Sequence, residues 1–510
     1  MTPQSLLPSL RKSTVELSIL LLAGCAVGPH FVQPDNSLPR MPLSPRDDYR
    51  HMQETSVANV PVQWWVLFND PILTELQQRA QAGNLGLQMA AKRIEQSRAQ
   101  LGITSAQLLP GAAGNASYSR GGLAALGAPT SATGFWQLGF DASWELDLWG
   151  RAHRAREGAT AALEARVYDH EAIRVALSAE VARVYLQLRG TQAQLNITQK
   201  NQAIAERALE LIESRERNGV ATGFEVASAR AQVATVKGMV PALIQHRNAL
   251  MNALALLLGE QPRALDTELK NAMPLPSLPS KVPMGVPSEL AQRRPDIQRA
   301  EAELHAATAA IGVARADFYP RIGLGARIGV EAFESDDLDS WDSRFFSVGP
   351  TVYLPIFEGG RLKQRLALNE AKQKRVALAY RQTVLQAWHE VDNALDAWAA
   401  QRSLHANLQV SYEQNIQALK AAERGYQQGA VDYLRVLSAQ RNVLESESRL
   451  NDNATDATLA LVNLYKSLGG GWDPNALSIA LYSRPQARLL WRQSHPGARL
   501  VAWSAFLSPP

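Results

Sequence analysis

The chain has 510 residues, 46% of them hydrophobic and 20% charged, a balance that excludes a disordered polyelectrolyte and leaves ample material for a core. Lys and Arg number 52 against 48 Asp and Glu, with no basic block, which excludes the electrostatic footprint of a nucleic-acid binder. The single cysteine, Cys25, excludes a disulfide framework.

Residues 1–24 predict an export signal: Arg11 and Lys12 precede an apolar run, Leu17 to Ala23, that falls well short of the about 18 residues of a membrane span. Leu22-Ala23-Gly24-Cys25 resembles the lipobox of bacterial lipoproteins, whose thiol takes a diacylglyceryl group and becomes the first mature residue. Lipidation at Cys25 is therefore expected, with outer-membrane lipid as partner; Ala26 after the cysteine, by the same likeness, implies onward export to that membrane. Residues 25–62, rich in proline and polar side chains, are expected to form an extended tether rather than a packed element.

Trp64-Trp65, Phe68 and Asp70-Pro71 open a helical region predicted over about 71–107. The period then changes to two. A first strand is expected over 111–120, and in the next Trp136, Leu138, Phe140, Ala142, Trp144 and Leu146 alternate with Gln137, Gly139, Asp141, Ser143, Glu145 and Asp147. A proline-free stretch, 152–218, follows, whose Leu177, Val181, Val184, Leu188, Thr191 and Leu195 step by four and three, the spacing of a coiled-coil seam. As one helix it would reach about 100 Å. Gly219 breaks it, and residues 226–258 return as the second arm of a hairpin.

The whole series then recurs. Pro110 returns as Pro320, 210 residues on, and at that same offset Gly150-Arg151 returns as Gly360-Arg361, Glu180-Val181 as Glu390-Val391, Gly219 as Gly429 and Leu258-Gly259 as Leu468-Gly469. A register held that long requires elements of equal length that match in space. The second half predicts a helix over about 287–317 and a strand in which Ile322, Leu324, Ala326, Ile328 and Val330 alternate with Arg321, Gly323, Gly325, Arg327 and Gly329. A further strand runs from Phe346 to Ile356, a long helix covers 362–428, and its return covers 436–468. The expected organisation is thus a signal peptide (1–24), a tether (25–62), a first repeat (63–275) and a second repeat (276–472). Strands lie at about 111–147 and 320–356, hairpin tips at about 219–225 and 429–435, and the tail 473–510 has no structural expectation.

Strands of about 10 to 12 residues, apolar outward and polar inward, are the signature of a transmembrane β-barrel, which makes Asp141, Glu145, Asp147, Arg321 and Arg327 lumen-facing. A soluble sandwich would alternate in the same way, but neighbouring helices of ~100 Å offer nothing to cover a sheet face. Four strands cannot close a barrel and open edges are not tolerated in lipid, so several chains must share one.

The residues at this point resemble a known family, the outer-membrane lipoprotein channels of tripartite multidrug efflux systems of the OprM and NodT type, related to TolC. The likeness runs from about Cys25 to Trp472 and rests on a combination of motifs. They are Cys25-Ala26-Val27-Gly28-Pro29, Ser143-Trp144-Glu145-Leu146-Asp147-Leu148-Trp149-Gly150-Arg151, Arg293-Arg294-Pro295-Asp296-Ile297, Pro355-Ile356-Phe357-Glu358-Gly359-Gly360-Arg361 and Leu468-Gly469-Gly470-Gly471-Trp472. The resemblance implies a mixed fold: a homotrimer with a 12-stranded barrel, four strands per chain, continued by a periplasmic coiled-coil tunnel. It also implies an inner-membrane pump of the resistance-nodulation-division type and a periplasmic membrane-fusion adaptor that docks on the tips. By the same likeness Tyr426 and Glu225 form a latch between hairpins, Arg435 stands at a gate position, and Gly219, Arg424 and Gly429 shape the tip that the adaptor grips; Asp432, the nearest acid, is expected to form a ring of three by symmetry. The acidic pair that rings the TolC pore is absent, since Arg435 and Ser438 occupy those positions.

Other functions fit less well. His389-Glu390-Val391-Asp392-Asn393 lacks the second histidine of a metalloprotease helix, and no phosphate loop, nucleophile elbow or metal spacing is present, so neither catalysis nor a cofactor is expected. A channel of the same shape serving protein secretion, or a purely structural periplasmic coiled coil, are the alternatives. The membrane strands separate the last from the first two.

Overall fold

A computed structural model describes residues 26–34, 55–56, 60–121, 133–276, 278, 282–283 and 293–473. The chain divides after Trp472. In order, the elements are strand β1 (Thr55–Ser56), a 3-10 turn (Trp64–Phe68), helices α1 (Pro71–Gly83) and α2 (Leu85–Ala106), strands β2 (Gly111–Gly121) and β3 (Thr133–Leu146), the long helix α3 (Arg151–Arg217) and its return α4 (Gly223–Leu258). After the short α5 (Asp266–Leu269) the series repeats as β4 (Val282–Pro283), α6 (Pro295–Ala316), β5 (Arg321–Ala332), β6 (Arg344–Tyr353), α7 (Arg361–Gln427) and α8 (Tyr433–Ser467). Helices α3 and α7 have 67 residues each, about 100 Å at 1.5 Å per residue.

The region expected as one helix over 71–107 is two. Asp70 starts α1 by accepting the N–H groups of Ile72 and Leu73 at 2.9 and 3.0 Å, with Pro71 at the first helical position. Asn84 then ends α1 and caps α2 through Leu87 N–H at 3.0 Å, while its amide donates to the Leu257 carbonyl of α4 at 2.8 Å. The break lies where two backbones touch: a Cβ at Gly83 would sit 2.2 Å from the Leu258 carbonyl oxygen. In the second copy α6 starts at Pro295, after a break at Arg294 that follows helical Arg293; residues 284–292, where the expected helix begins, lie outside the described ones.

The coiled-coil spacing locates the core. Leu177, Val181, Val184, Leu188 and Leu195 on α3 and Ala387, Val391, Ala394 and Trp398 on α7 are all buried. At the centre Trp64 is 0% exposed, stacked on Tyr465 of α8 with ring centroids 5.5 Å apart and met edge-on by Trp65 and Phe68. A buried polar chain ties this region to the linker after α4. Arg189 donates through Nε to the Tyr185 hydroxyl at 3.0 Å and through Nη1 to Gln192 Oε1 at 2.8 Å and the Asn271 carbonyl at 3.1 Å, and Tyr185 donates to Asp70 Oδ2 at 2.6 Å. Burial, and next the Asp70 carboxylate, push the Tyr185 phenol well above its ordinary value, so it stays a donor.

Four strands form one antiparallel sheet in the order β2-β3-β5-β6, and β3 with β5 joins the two repeats. The small β1–β4 pair is parallel and separate. One face of the large sheet carries Leu138, Phe140, Leu324, Ile328, Phe346 and Val352, all exposed, with Phe140 at 69% and Phe346 at 82%. The other carries Asn115, Gln137, Asp141, Arg327 and Ser347. Tyr118 and Trp136 pair across β2 and β3 at 4.4 Å. The outer edges of β2 and β6 have no partner strand among the described residues. The last strand is shorter than expected, ending at Tyr353 rather than Ile356. No described helix is long and apolar enough to cross a membrane.

Candidate functional site

The polar strand face is built around an ion pair between the repeats. Register places Asp141 opposite Arg327, whose Nε donates to Asp141 Oδ1 at 2.8 Å, and the Asn115 amide donates to Oδ2. Glu145 pairs with Arg151 at 3.2 Å, and Arg321 turns back to Asp317 at the end of α6 at 2.9 Å. Gly323, Gly325 and Gly349 add no side chain to this face, and the Thr351 hydroxyl lies over Gly323. Asp147 does not belong to it, contrary to expectation. The strand ends at Leu146, and Asp147 accepts the N–H groups of Ala152 at 3.0 Å and His153 at 2.8 Å, capping the first turn of α3. Burial raises its carboxyl, but these donors and the His153 ring outweigh that and hold it below the usual carboxylate range.

Of the expected tether, residues 26–34 are packed against the helices rather than free, and residues 35–54 lie outside the described ones. Cys25 lies outside the described residues, but Val27 N–H donates to the Trp149 carbonyl at 3.1 Å, and a Cβ on Gly150 would lie 2.6 Å from that of Ala26. The segment therefore begins at the point where β3 becomes α3. Gly28, at φ 102°, lies directly on Gly312 of α6, where a Cβ would come within 2.5 Å of the Gly312 Cα. Further on, Phe31 stacks on His305 at 4.4 Å, and His305 Nε2 contacts Glu157 Oε1 of α3 at 2.9 Å. Residues 26–34 thus staple α3 to α6. The sequence carried one signal for this, the paired glycines Gly28 and Gly312, whose meeting only the fold reveals. Gly28→Val should release the strap, and limited proteolysis should then cut within 26–34 where the wild type resists.

At the hairpin tips the chain reverses through Gly219 (φ 75°) and Gly429 (φ 74°). Thr222 and Glu225 form a capping box at α4, with Glu225 Oε2 accepting Thr222 N–H at 2.7 Å, and Asp432 caps α8 by accepting Arg435 N–H at 3.1 Å. Asp432 and Arg435 are exposed, as are Gly219, Gly429 and Arg424, the last bonded to the Lys420 carbonyl at 3.2 Å. The expected bond between Tyr426 and Glu225 is not formed within the chain, because the carboxylate is turned onto Thr222. Tyr426 instead lies under the Arg215 guanidinium and against Tyr433. Tyr433 is buried, and burial first, then Tyr426 and Glu225, push its phenol up to about 12. Val220, Phe224 and Leu434 project from the tips, Val220 being 71% exposed and Phe224 65%.

The Arg293-Arg294-Pro295-Asp296 motif is a buried clamp. Arg294 donates to Asp296 and Glu390, each at 2.7 Å, and to the Ser467 carbonyl at 3.0 Å, while the Arg293 carbonyl accepts from Trp472 at 2.7 Å. It walls a cavity of about 860 Å³ shared by α3, α7 and α8, with Gln401, Asp456 and Lys466 on its other sides.

A sheet with one lipid-ready face and, among the described residues, two open edges, beside ~100 Å helical hairpins, defines a channel subunit of the outer membrane. The model of the family "Outer membrane efflux protein" matches residues 76–260 and again 286–470. OprJ, an outer membrane protein of Pseudomonas aeruginosa, is 33% identical over 91% of this chain and 97% of its own length. TtgI, the toluene efflux pump outer membrane protein of Pseudomonas putida, is 34% identical over 90% and 98%. The structure of the outer-membrane channel OprN superposes with a TM-score of 0.82 at 31% identity, covering 88% of this chain and all of that one. The chain belongs to the outer membrane efflux protein family, with the TolC-like fold of helical tunnel and β domain.

Proposed function

We propose that three copies of this chain close a 12-stranded barrel and serve as the exit duct of a tripartite efflux system, receiving small toxic compounds from a resistance-nodulation-division pump. The observation that carries this reading is the four-stranded sheet, both of whose edges are unpaired among the described residues and which sister chains would complete in lipid. The name of TtgI, a toluene efflux component, favours small hydrophobic compounds among the exported ones. A periplasmic adaptor grips the tips around Gly219, Arg424 and Gly429, where Val220, Phe224 and Leu434 offer apolar contact. Asp432, repeated three times about an axis, gives the mouth a preference for cations, with Arg435 beside it.

Lipid on Cys25 fits the strap. Ala26, the first described residue after Cys25, sits at the junction of β3 and α3, where the helical part meets the strands that face lipid. Palmitate labelling should mark the wild type and not Cys25→Ser.

Deletion of the gene tests the export reading. Susceptibility to a panel of drugs and solvents should rise, and a periplasmic adaptor should copurify with the wild-type chain. Unchanged susceptibility across the panel, with no adaptor recovered, would overturn it.

A further inference from the structure

The two repeats carry different side chains at equivalent points of their tips, and the differences meet. Moving 210 residues along, Arg215 corresponds to Gly425, Glu216 to Tyr426 and Gly223 to Tyr433. The first tip therefore has a cation where the second has a glycine, and the second has two aromatic rings where the first has none. In the fold the Arg215 guanidinium lies 4.5 Å over the Tyr426 ring, and Tyr426 packs at 5.6 Å on Tyr433. Tyr433 in turn is buried with Ile212 and Val226 of the first hairpin and Val436 of its own. The Arg215 carbonyl meanwhile accepts the N–H groups of Val220 at 2.9 Å and Ala221 at 3.3 Å, closing the first tip. One residue both ends α3 and reaches across to the other hairpin.

We infer that Arg215 is a positioning residue of the channel mouth: its guanidinium, laid on the Tyr426 ring, ties the first hairpin to the second within a subunit and keeps the tips from splaying. The inference rests on the channel reading above and deepens it. A planar cation on a ring face needs the ring and not its hydroxyl, and both partners are half-buried, where water screens the attraction less than at an open surface. Such a contact differs from a hydrogen-bonded latch in what it tolerates. Losing the hydroxyl should leave it standing; losing the ring or the cation should not.

The test uses the full-length, detergent-extracted protein in planar bilayers, alongside cells producing each variant and challenged with a large hydrophilic antibiotic. Arg215→Ala and Tyr426→Ala should each raise the open fraction about fivefold, as expected for loss of a half-buried cation–π pair, and should sensitise the cells. Tyr426→Phe should stay within about twofold of wild type, since the ring remains. Thermal unfolding midpoints serve as the second readout, because a purely structural role would lower the midpoint without altering closure. The proposal is overturned if both alanine variants close as tightly as wild type, or if Tyr426→Phe leaks as much as Tyr426→Ala. If none of the four proteins conducts, the channel reading itself fails and takes the inference with it.

Discussion

Gly329→Val should abolish the folded sheet. A Cβ at Gly329 would lie 2.2 Å from the Leu138 carbonyl oxygen, 2.8 Å from the Gly139 Cα and 3.0 Å from the Phe345 ring. The first two are backbone atoms of the facing strand, so no rotamer change relieves the clash. Only separation of β3 from β5 does, and that ladder is the seam between the two repeats in the sheet. Opening it strips polar backbone of partners in lipid, at several kcal/mol for each unpaired group. On unheated gels the variant should lose the compact, heat-modifiable band and accumulate outside the outer-membrane fraction. A wild-type band would show that the strands accommodate the side chain and would count against this register. Ser347→Ala, on the same face in the adjacent strand, should leave the band intact.

Trp64→Ala should be the most damaging substitution in the helical part. Trp64 is fully buried and meets Tyr465, Trp65 and Phe68, and Gly470 is so close that a Cβ there would stand 2.9 Å from the indole Cδ1. Removing the indole leaves a cavity bounded by the 3-10 turn and α8, for a loss of about 3–5 kcal/mol. Two residues along, half-exposed Val66 faces solvent, and Val66→Ala should change stability by no more than about 0.5 kcal/mol. The helical circular-dichroism signal during heating measures both. A Trp64→Ala midpoint equal to that of Val66→Ala would contradict the packing described.

Periodicity made most of the architecture legible. The four-three steps from Leu177 to Leu195 marked residues that prove buried, and the two-residue alternation from Trp136 to Leu146 marked a strand whose two faces differ as expected. These signals are local: a helix or strand must present one side to its neighbour whatever that neighbour is. What remained illegible depends on remote backbone. Asn84 interrupts a helix because the end of α4 lies against Gly83, 175 positions before Leu258 in the chain. The strap docks because Gly28 meets Gly312, and a proline-rich composition alone favours a free tether. Asp147 continued the strand pattern by one position and was therefore expected in the lumen. The unpaired N–H groups at the start of α3 claim it instead.

The tips teach the same lesson at smaller scale. Gly219 and Gly429 were visible as helix breakers, and their left-handed conformation explains why glycine stands there. The partner of Tyr426 was not visible. Glu225 sits three residues after Thr222, and that spacing makes a capping box, which occupies the carboxylate locally before any distant tyrosine can reach it. Arg215 takes the ring because it lies at the end of a helix whose length matches that of Tyr426's own helix, 67 residues in each.

The mass of the intact, detergent-extracted assembly tests the central claim most directly. Three chains per particle, with the sheet signal lost only together with the assembly, is the result expected of a barrel completed by sister subunits. A stable single chain that keeps its four strands paired in detergent would contradict it.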